Sequence, residues 1–228
     1  MFIVGTDTGI GKTVVSAGIV CHLKSIGCNT VYYKPVSSNT SDNISGDAHF
    51  VHAFSGIKTV VSYAFKTAVS PHLAAQQEGI TIDIEKICET FHHLQSRYDY
   101  IICEGAGGLA VPLLSDGSVL IRDLVKMFNI PILIVAQANV GTLNHTTLTV
   151  EYAQNAGLDI EGIIINNYDE NILAHKDNLK MISKLTNVPI LATVPKIDGI
   201  DVDNYSFGTL EKDFPTLETL WTNNKKKI

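Results

Sequence analysis

The chain predicts a doubly wound α/β fold: one mainly parallel β-sheet flanked by helices, as a single domain over residues 1–228. Three observations carry this. Short Val/Ile-rich runs recur along the chain and read as continuous apolar segments, the pattern of strands buried on both faces of a parallel sheet. Longer segments with apolar residues at helical spacing separate them. A glycine-rich stretch, Gly5-Thr-Asp-Thr-Gly-Ile-Gly-Lys-Thr13, joins the first run to the first helical segment.

The strands follow in order as Met1–Val4, Asn29–Tyr33, Tyr100–Cys103, Ile130–Ala136, Gly162–Asn166 and Ile190–Val194. The first helix, Lys12 to Ile26, sets Val15, Ile19, Leu23 and Ile26 on one stripe. The next, Asp83 to Tyr98, does so with Ile84, Ile87, Phe91 and Leu94. Helices over Val119–Phe128, Leu143–Gly157 and Asn171–Leu185 complete the alternation, with Gly27 and Gly157 just past two helix ends. Residues 36–80 read as less regular, with polar turns over Ser37–Gly46 and a short helix entered at Ser70-Pro71-His72. Such an insertion is a place for substrate contacts. Leu217, Leu220 and Trp221 predict a C-terminal helix.

Composition narrows the function. Lys and Arg number 17 against 23 Asp and Glu, a formal net charge of −6, which disfavours nucleic acid as a partner. Lys225–Lys227 reads as a solvated tail. No apolar run reaches the ~20 residues that span a bilayer, so no membrane partner is expected. The N-terminus lacks a basic stretch and reads as a strand, not a signal peptide. Four cysteines without a Cys-x-x-Cys pair fit a reducing cytoplasm.

The glycine-rich stretch has the elements of a phosphate-binding loop. Its glycines let backbone N–H groups turn toward an anion, and the helix start at Lys12 faces the same way. Lys12 is placed to reach the β- and γ-phosphates of a nucleoside triphosphate and Thr13 to bind Mg²⁺. Five residues separate Gly5 from Gly11, one more than in the commonest pattern. This makes the fold one of the P-loop NTPase type.

Mg²⁺ usually takes one or two carboxylates. Glu104, at a buried strand end before Gly-Ala-Gly-Gly108, is one candidate. Asp47 reads equally well as a second carboxylate ligand or as a helix N-terminal Asp. Lys34, just past the second predicted strand, is either surface charge or a second cation beside the triphosphate. His49 and His52 read as solvated, and Cys103 as a core residue.

In order along the chain, residues 5–13, Tyr-Lys-Pro-Val-x-Ser (33–38), Ser-Pro-His (70–72), Glu-Gly-Ala-Gly-Gly (104–108), Gly-x-x-Asn-His (141–145) and Asn166 resemble the dethiobiotin synthetases. The resemblance implies ATP- and Mg²⁺-dependent ring closure of 7,8-diaminononanoate with CO₂, through a carbamate and its phosphoric anhydride, as the penultimate step of biotin synthesis. It implies Lys34, Lys12 and Thr8 at the reacting groups, and Thr13, Asp47 and Glu104 on Mg²⁺. ATP would be held by Gly9, Ile10, Gly11, Lys12, Thr13, Val14, Asp47, Glu104, Gly105, Ala106 and Gly107. Asn166, Asn167, Pro195, Lys196 and Ile197 would surround its base. Ser38 would contact the diamine. Gly141, Thr142, Leu143 and Asn144 would receive the substrate carboxylate from the partner subunit of a homodimer. Asn167 stands where the family often has an acidic residue. The rival reading is a P-loop nucleotide switch of the partitioning or metallochaperone type.

Overall fold

The computed structural model describes residues 1–40 and 45–215. Strand β1 (Phe2–Gly5) leads through the loop into helix α1 (Lys12–Ser25). β2 (Thr30–Ser37), α2 (Gly46–Ser55), β3 (Lys58–Ala64), α3 (Pro71–Gln77) and α4 (Ile84–Gln95) follow. Then come β4 (Tyr100–Glu104), α5 (Ile121–Phe128), β5 (Ile132–Gln137), α6 (Thr142–Asn155), β6 (Ile160–Tyr168), α7 (Leu173–Thr186) and β7 (Ile190–Pro195). A hairpin of β8 (Ile200–Asp201) and β9 (Ser206–Phe207) precedes the short α8 (Leu210–Asp213). The first seven strands form one parallel sheet in the order β3-β2-β4-β1-β5-β6-β7. All their carboxyl ends therefore lie along one edge, with β1 at the centre where the strand order reverses, the place where open α/β sheets bind ligands.

Alternation along the strands divides the core into two layers. Phe2, Val4, Val31, Tyr33 and Cys103 face the layer that holds Ile87, Phe91 and Leu124. Ile3, Tyr32 and Ile102 face the opposite layer, packed with Val15, Ile19 and Phe50 of α1 and α2. Helix α1 is buried nearly all round, from Lys12 to Val20, and not along a single stripe. Its predicted last stripe residue, Ile26, is 55% exposed and caps the helix end. Gly27 and Gly157 have positive φ just past α1 and α6, as predicted.

Two sequence expectations need correction. β2 does not end at Tyr33; it continues through Lys34 to Ser37, so Lys34 lies inside the strand, opposite Val61. Pro35 is tolerated because β4 ends at Glu104, leaving β3 as the only neighbour of this part of β2. Residues 58–64 form strand β3, which the search for continuous apolar runs passes over. As an edge strand it is only half-buried and carries Lys58, Thr59 and Ser62 among its apolar residues. The predicted helix around Leu217, Leu220 and Trp221, the Lys225–Lys227 tail and part of the Ser37–Gly46 turn region lie outside the described residues.

Candidate active site

The loop after β1 is shaped by its glycines. Gly11 has φ 93°, and a Cβ there would run into the side-chain amide of Asn166. Gly5 packs so closely that a Cβ would sit 2.7 Å from the Asp7 carbonyl oxygen and 2.9 Å from Lys12 Nζ. Lys12 Nζ donates to that same Asp7 oxygen at 3.1 Å. From the other side, Asn166 Nδ2 donates to the Ile10 carbonyl at 2.8 Å, tying β6 to the loop.

Five side chains from four elements meet beside the loop. Thr13, in the first turn of α1, lies 2.9 Å from Asp47 Oδ1 and 3.0 Å from Glu104 Oε1. Its hydroxyl has one hydrogen to offer two carboxylates. Lys34 Nζ lies 2.6 Å from Asp47 Oδ2 and 2.7 Å from Glu104 Oε1. Tyr32 donates its hydroxyl to Glu104 Oε2 at 2.9 Å. Asp47 also sits in the first turn of α2, behind the cap Ser45.

Charge states follow from this packing. Burial draws the Lys34 pKa down, but Asp47 and Glu104 outweigh it and the net shift is upward. Burial raises the Asp47 pKa, and the Lys34 ammonium with its hydrogen bond reverses this to a net lowering. Burial, then the Glu104 charge, pushes the Tyr32 hydroxyl well above its usual value, so it stays a donor. Cys103 is pushed up to about 12 by burial, in keeping with a core residue.

Lys12 goes the other way. Burial, then repulsion from Lys34, lowers its pKa to about 8, against opposing pulls from Glu104, Asp47 and Asp7. A lysine depressed in the fold carries its full charging cost below that value and loses it as pH rises from there to the ordinary lysine value. A polyphosphate favours the charged form. Nucleotide binding at about pH 9 is therefore expected to take up most of a proton on Lys12, and at about pH 7 none there. Titration calorimetry in two buffers of different ionisation enthalpy measures this; equal proton uptake at both pH values would contradict it.

A cavity of about 770 Å³ opens over this cluster. It is lined by Thr8, Gly9, Gly11, Lys12, Thr13, Val14, Lys34, Ser38, Asp47, Glu104, Gly105, Ala106, Gly107, Asn166 and Asn167, so the structure brings these predicted residues together. Ser38 Oγ is buried without a hydrogen-bond partner among the described residues. Ile10 is 6% exposed, which leaves its backbone alone to face the loop interior. Pro195 and Lys196 line a separate hollow with Tyr168, Glu170 and Asp198, while the Ile197 side chain is in the core. Gly141 to Asn144 do not line the main cavity; they form the start of α6 after the 93% exposed Val140. His49 packs its ring 4.2 Å from that of Tyr205, and His52 Nδ1 meets the Ile57 carbonyl at 2.7 Å.

Sequence reasoning passed over several contributors. Ile200, Val202 and Asp203 of the hairpin, and Ala68, Val69 and Val111, complete the cavity wall. No local pattern marks them. Tyr32 had a usable signal: it stands two residues before Lys34 and so shares its face of β2.

Comparison with known proteins gives one result. A family profile described as an AAA domain matches residues 1–203. The ATP-dependent dethiobiotin synthetase of Clostridium novyi is 43% identical over 228 residues, covering 96% of this chain and 94% of that one. That of Clostridium kluyveri is 44% identical over 211 residues, 88% of this chain and 87% of the relative. That of Brachyspira hyodysenteriae is 39% identical over 97% of this chain and 98% of its own. Among solved structures, the MinC:MinD cell division complex of Aquifex aeolicus matches with a TM-score of 0.62 and 14% identity, over 96% and 91% of the two chains. A ParA family ATPase from Chlorobium tepidum matches at 0.54 and 17%, over 86% and 85%. At those identities the likeness to these two structures is one of fold alone, whereas the relatives above 30% identity match over nearly the whole chain; the chain belongs to the ATP-dependent dethiobiotin synthetase family.

Proposed function

We propose that the whole chain acts as one synthetase domain that uses ATP and Mg²⁺ to close the ureido ring of dethiobiotin from 7,8-diaminononanoate and CO₂. Family membership makes the protein an ATP-dependent enzyme of dethiobiotin formation. The finer reading is carried by the meeting of Lys12, Lys34, Thr13, Asp47 and Glu104 under one cavity.

The chemistry has three steps. One amine of the diamine adds CO₂ and loses a proton to give a carbamate. A carbamate oxygen attacks the γ-phosphorus, ADP leaves, and a mixed anhydride forms. The second amine attacks the carbonyl, phosphate leaves, and the ring closes. Phosphorylation turns a poor leaving oxygen into a good one, so the protein's task is positioning and charge stabilisation.

Lys12 and the loop N–H groups hold the phosphates. Lys34 stabilises charge between the carbamate and the γ-phosphoryl group, and Thr8 lies near the carbamate. Ser38, with its unpartnered hydroxyl on the wall, contacts the diamine. Asn166 and Asn167 flank the base, with backbone contacts from Pro195, Lys196 and Ile197. The donor set fits Mg²⁺: all its atoms are oxygens, and the Thr13 hydroxyl lies within 3.0 Å of one oxygen of each carboxylate. Bound there through Thr13, Asp47 and Glu104, Mg²⁺ would neutralise phosphate charge.

The start of α6, Gly141 to Asn144, is proposed to take the substrate carboxylate of a partner subunit in a homodimer. No helix among the described residues is long and apolar enough to cross a membrane. With Cys21, Cys28, Cys88 and Cys103 all free, a cytoplasmic location is the one we propose.

ATP turnover is expected to need both diaminononanoate and bicarbonate and to yield one dethiobiotin per ADP. Equal ATP hydrolysis without them would mark a nucleotide switch instead. In the same assay, activity per chain should fall on dilution as the dimer separates; a rate per chain independent of dilution, with a single-chain sedimentation mass, excludes the shared site.

A further inference from the structure

Glu104 is held by both of its oxygens, each in a different way. The residue is 1% exposed. Oε1 points at Thr13 Oγ1, 3.0 Å away, and at Lys34 Nζ, 2.7 Å away. Oε2 points away from them and accepts the Tyr32 hydroxyl at 2.9 Å. Tyr32 is fully buried in the layer that includes Ile19, Phe50 and Ile102. Its ring is packed into that layer and is 0% exposed. Tyr33, the next residue, points to the other face of the sheet, where its hydroxyl meets Ser62 Oγ and the Ile87 carbonyl. Of the two tyrosines, Tyr32 is the one that meets Glu104, and it does so at Oε2.

We propose that Tyr32 is a positioning residue that restricts Glu104 to one-oxygen metal coordination and thereby sets a preference for Mg²⁺ over larger cations such as Ca²⁺. This rests on the reading that Thr13, Asp47 and Glu104 hold the metal. Mg²⁺ takes six ligands in near-ideal octahedral geometry at about 2.0–2.1 Å, and Ca²⁺ takes six to eight at about 2.3–2.6 Å, often with a carboxylate using both oxygens. A Glu104 turned to present both oxygens would abandon the Tyr32 hydroxyl, a buried donor with no other acceptor among the described residues. The hydroxyl thus withholds the second oxygen that Ca²⁺ would use and leaves the single-oxygen geometry that suits Mg²⁺.

The test uses the full chain with a non-hydrolysable ATP analogue and measures Mg²⁺ and Ca²⁺ affinities for the parent protein and Tyr32→Phe. Removing partners behind a metal ligand typically costs about 10–100-fold in affinity. The preference for Mg²⁺ over Ca²⁺ is expected to fall by at least about tenfold, with Ca²⁺ binding tightened by the freed second oxygen and Mg²⁺ binding weakened. Equal weakening of both ions, or an unchanged ratio, would show that the ring only packs and overturn the proposal. Metal binding by the parent that is indifferent to Glu104→Gln would instead overturn the ligand assignment itself. A crystal structure of the parent with Ca²⁺ and the analogue keeps the question open to test even where Tyr32→Phe does not fold. Glu104 should bind through one oxygen with Oε2 still on Tyr32, and two-oxygen binding would refute the idea.

Discussion

Lys34→Gln is expected to slow ring closure by about 10³-fold, the scale on which a cation at a transferring phosphoryl group acts, while nucleotide affinity changes little. The reason is the position of the Lys34 ammonium. It lies on Asp47 Oδ2 and Glu104 Oε1, the carboxylates proposed to bind Mg²⁺. Without nucleotide, ammonium and metal compete for those oxygens. Glutamine removes the competitor and leaves two carboxylates facing each other. The free protein should therefore lose stability, by about 3 kcal/mol, the low end for breaking a buried ion pair, because the Asp47 side chain keeps 29% exposure. Mg²⁺ should restore most of that stability and should bind the nucleotide-free variant more tightly than it binds the parent. Urea denaturation with and without Mg²⁺, beside a dethiobiotin assay, reads all of these. A variant that loses nucleotide binding but closes the ring normally at saturating ATP would make Lys34 a phosphate clamp and nothing more.

Glu104→Gln is expected to lower the rate by about 10²–10³-fold, comparable to removing one preorganised polar contact at a reacting centre. The fold should survive. An amide oxygen can accept from Lys34 and Thr13, and an amide nitrogen can donate to the Tyr32 oxygen; the Tyr32 hydrogen then loses its acceptor, at a cost of about 1–3 kcal/mol. What is lost is the negative charge. Lys34 then answers to Asp47 alone, and the Mg²⁺ concentration for half-maximal activity should rise. The double variant with Lys34→Gln should fall no further than the worse single one, because the two residues touch and act together. A rate loss without any change in Mg²⁺ dependence would remove Glu104 from the metal site.

The parallel sheet was legible because its buried strands are written as unbroken apolar runs; six of the seven were found that way, with ends shifted by a few residues. The seventh, β3, escaped for the converse reason: an edge strand keeps Lys58, Thr59 and Ser62 in its half-exposed positions. The phosphate loop was legible because its chemistry is local. Glycines, a lysine and a threonine within nine residues carry their own instructions for backbone shape.

The buried cluster proposed to hold the metal was only half legible. Glu104 and Thr13 stood out by position, yet Asp47 was ambiguous and Lys34 was placed beyond a strand that contains it. Thr13 and Asp47 are 34 residues apart, Tyr32 and Glu104 72, and Thr13 and Glu104 91. No pattern in the chain says that such residues touch.

By itself, then, the sequence determined an α/β sheet, a triphosphate loop opening at Gly5–Thr13 and the family to which those motifs point. Only the tertiary structure decided that β2 runs on through Lys34, which sets that ammonium against both carboxylates. It alone decided that Tyr32 reaches the far oxygen of Glu104. The reason is physical: a loop's conformation is dictated by neighbours in the chain, whereas the contacts of a buried charge depend on which strands the sheet sets side by side.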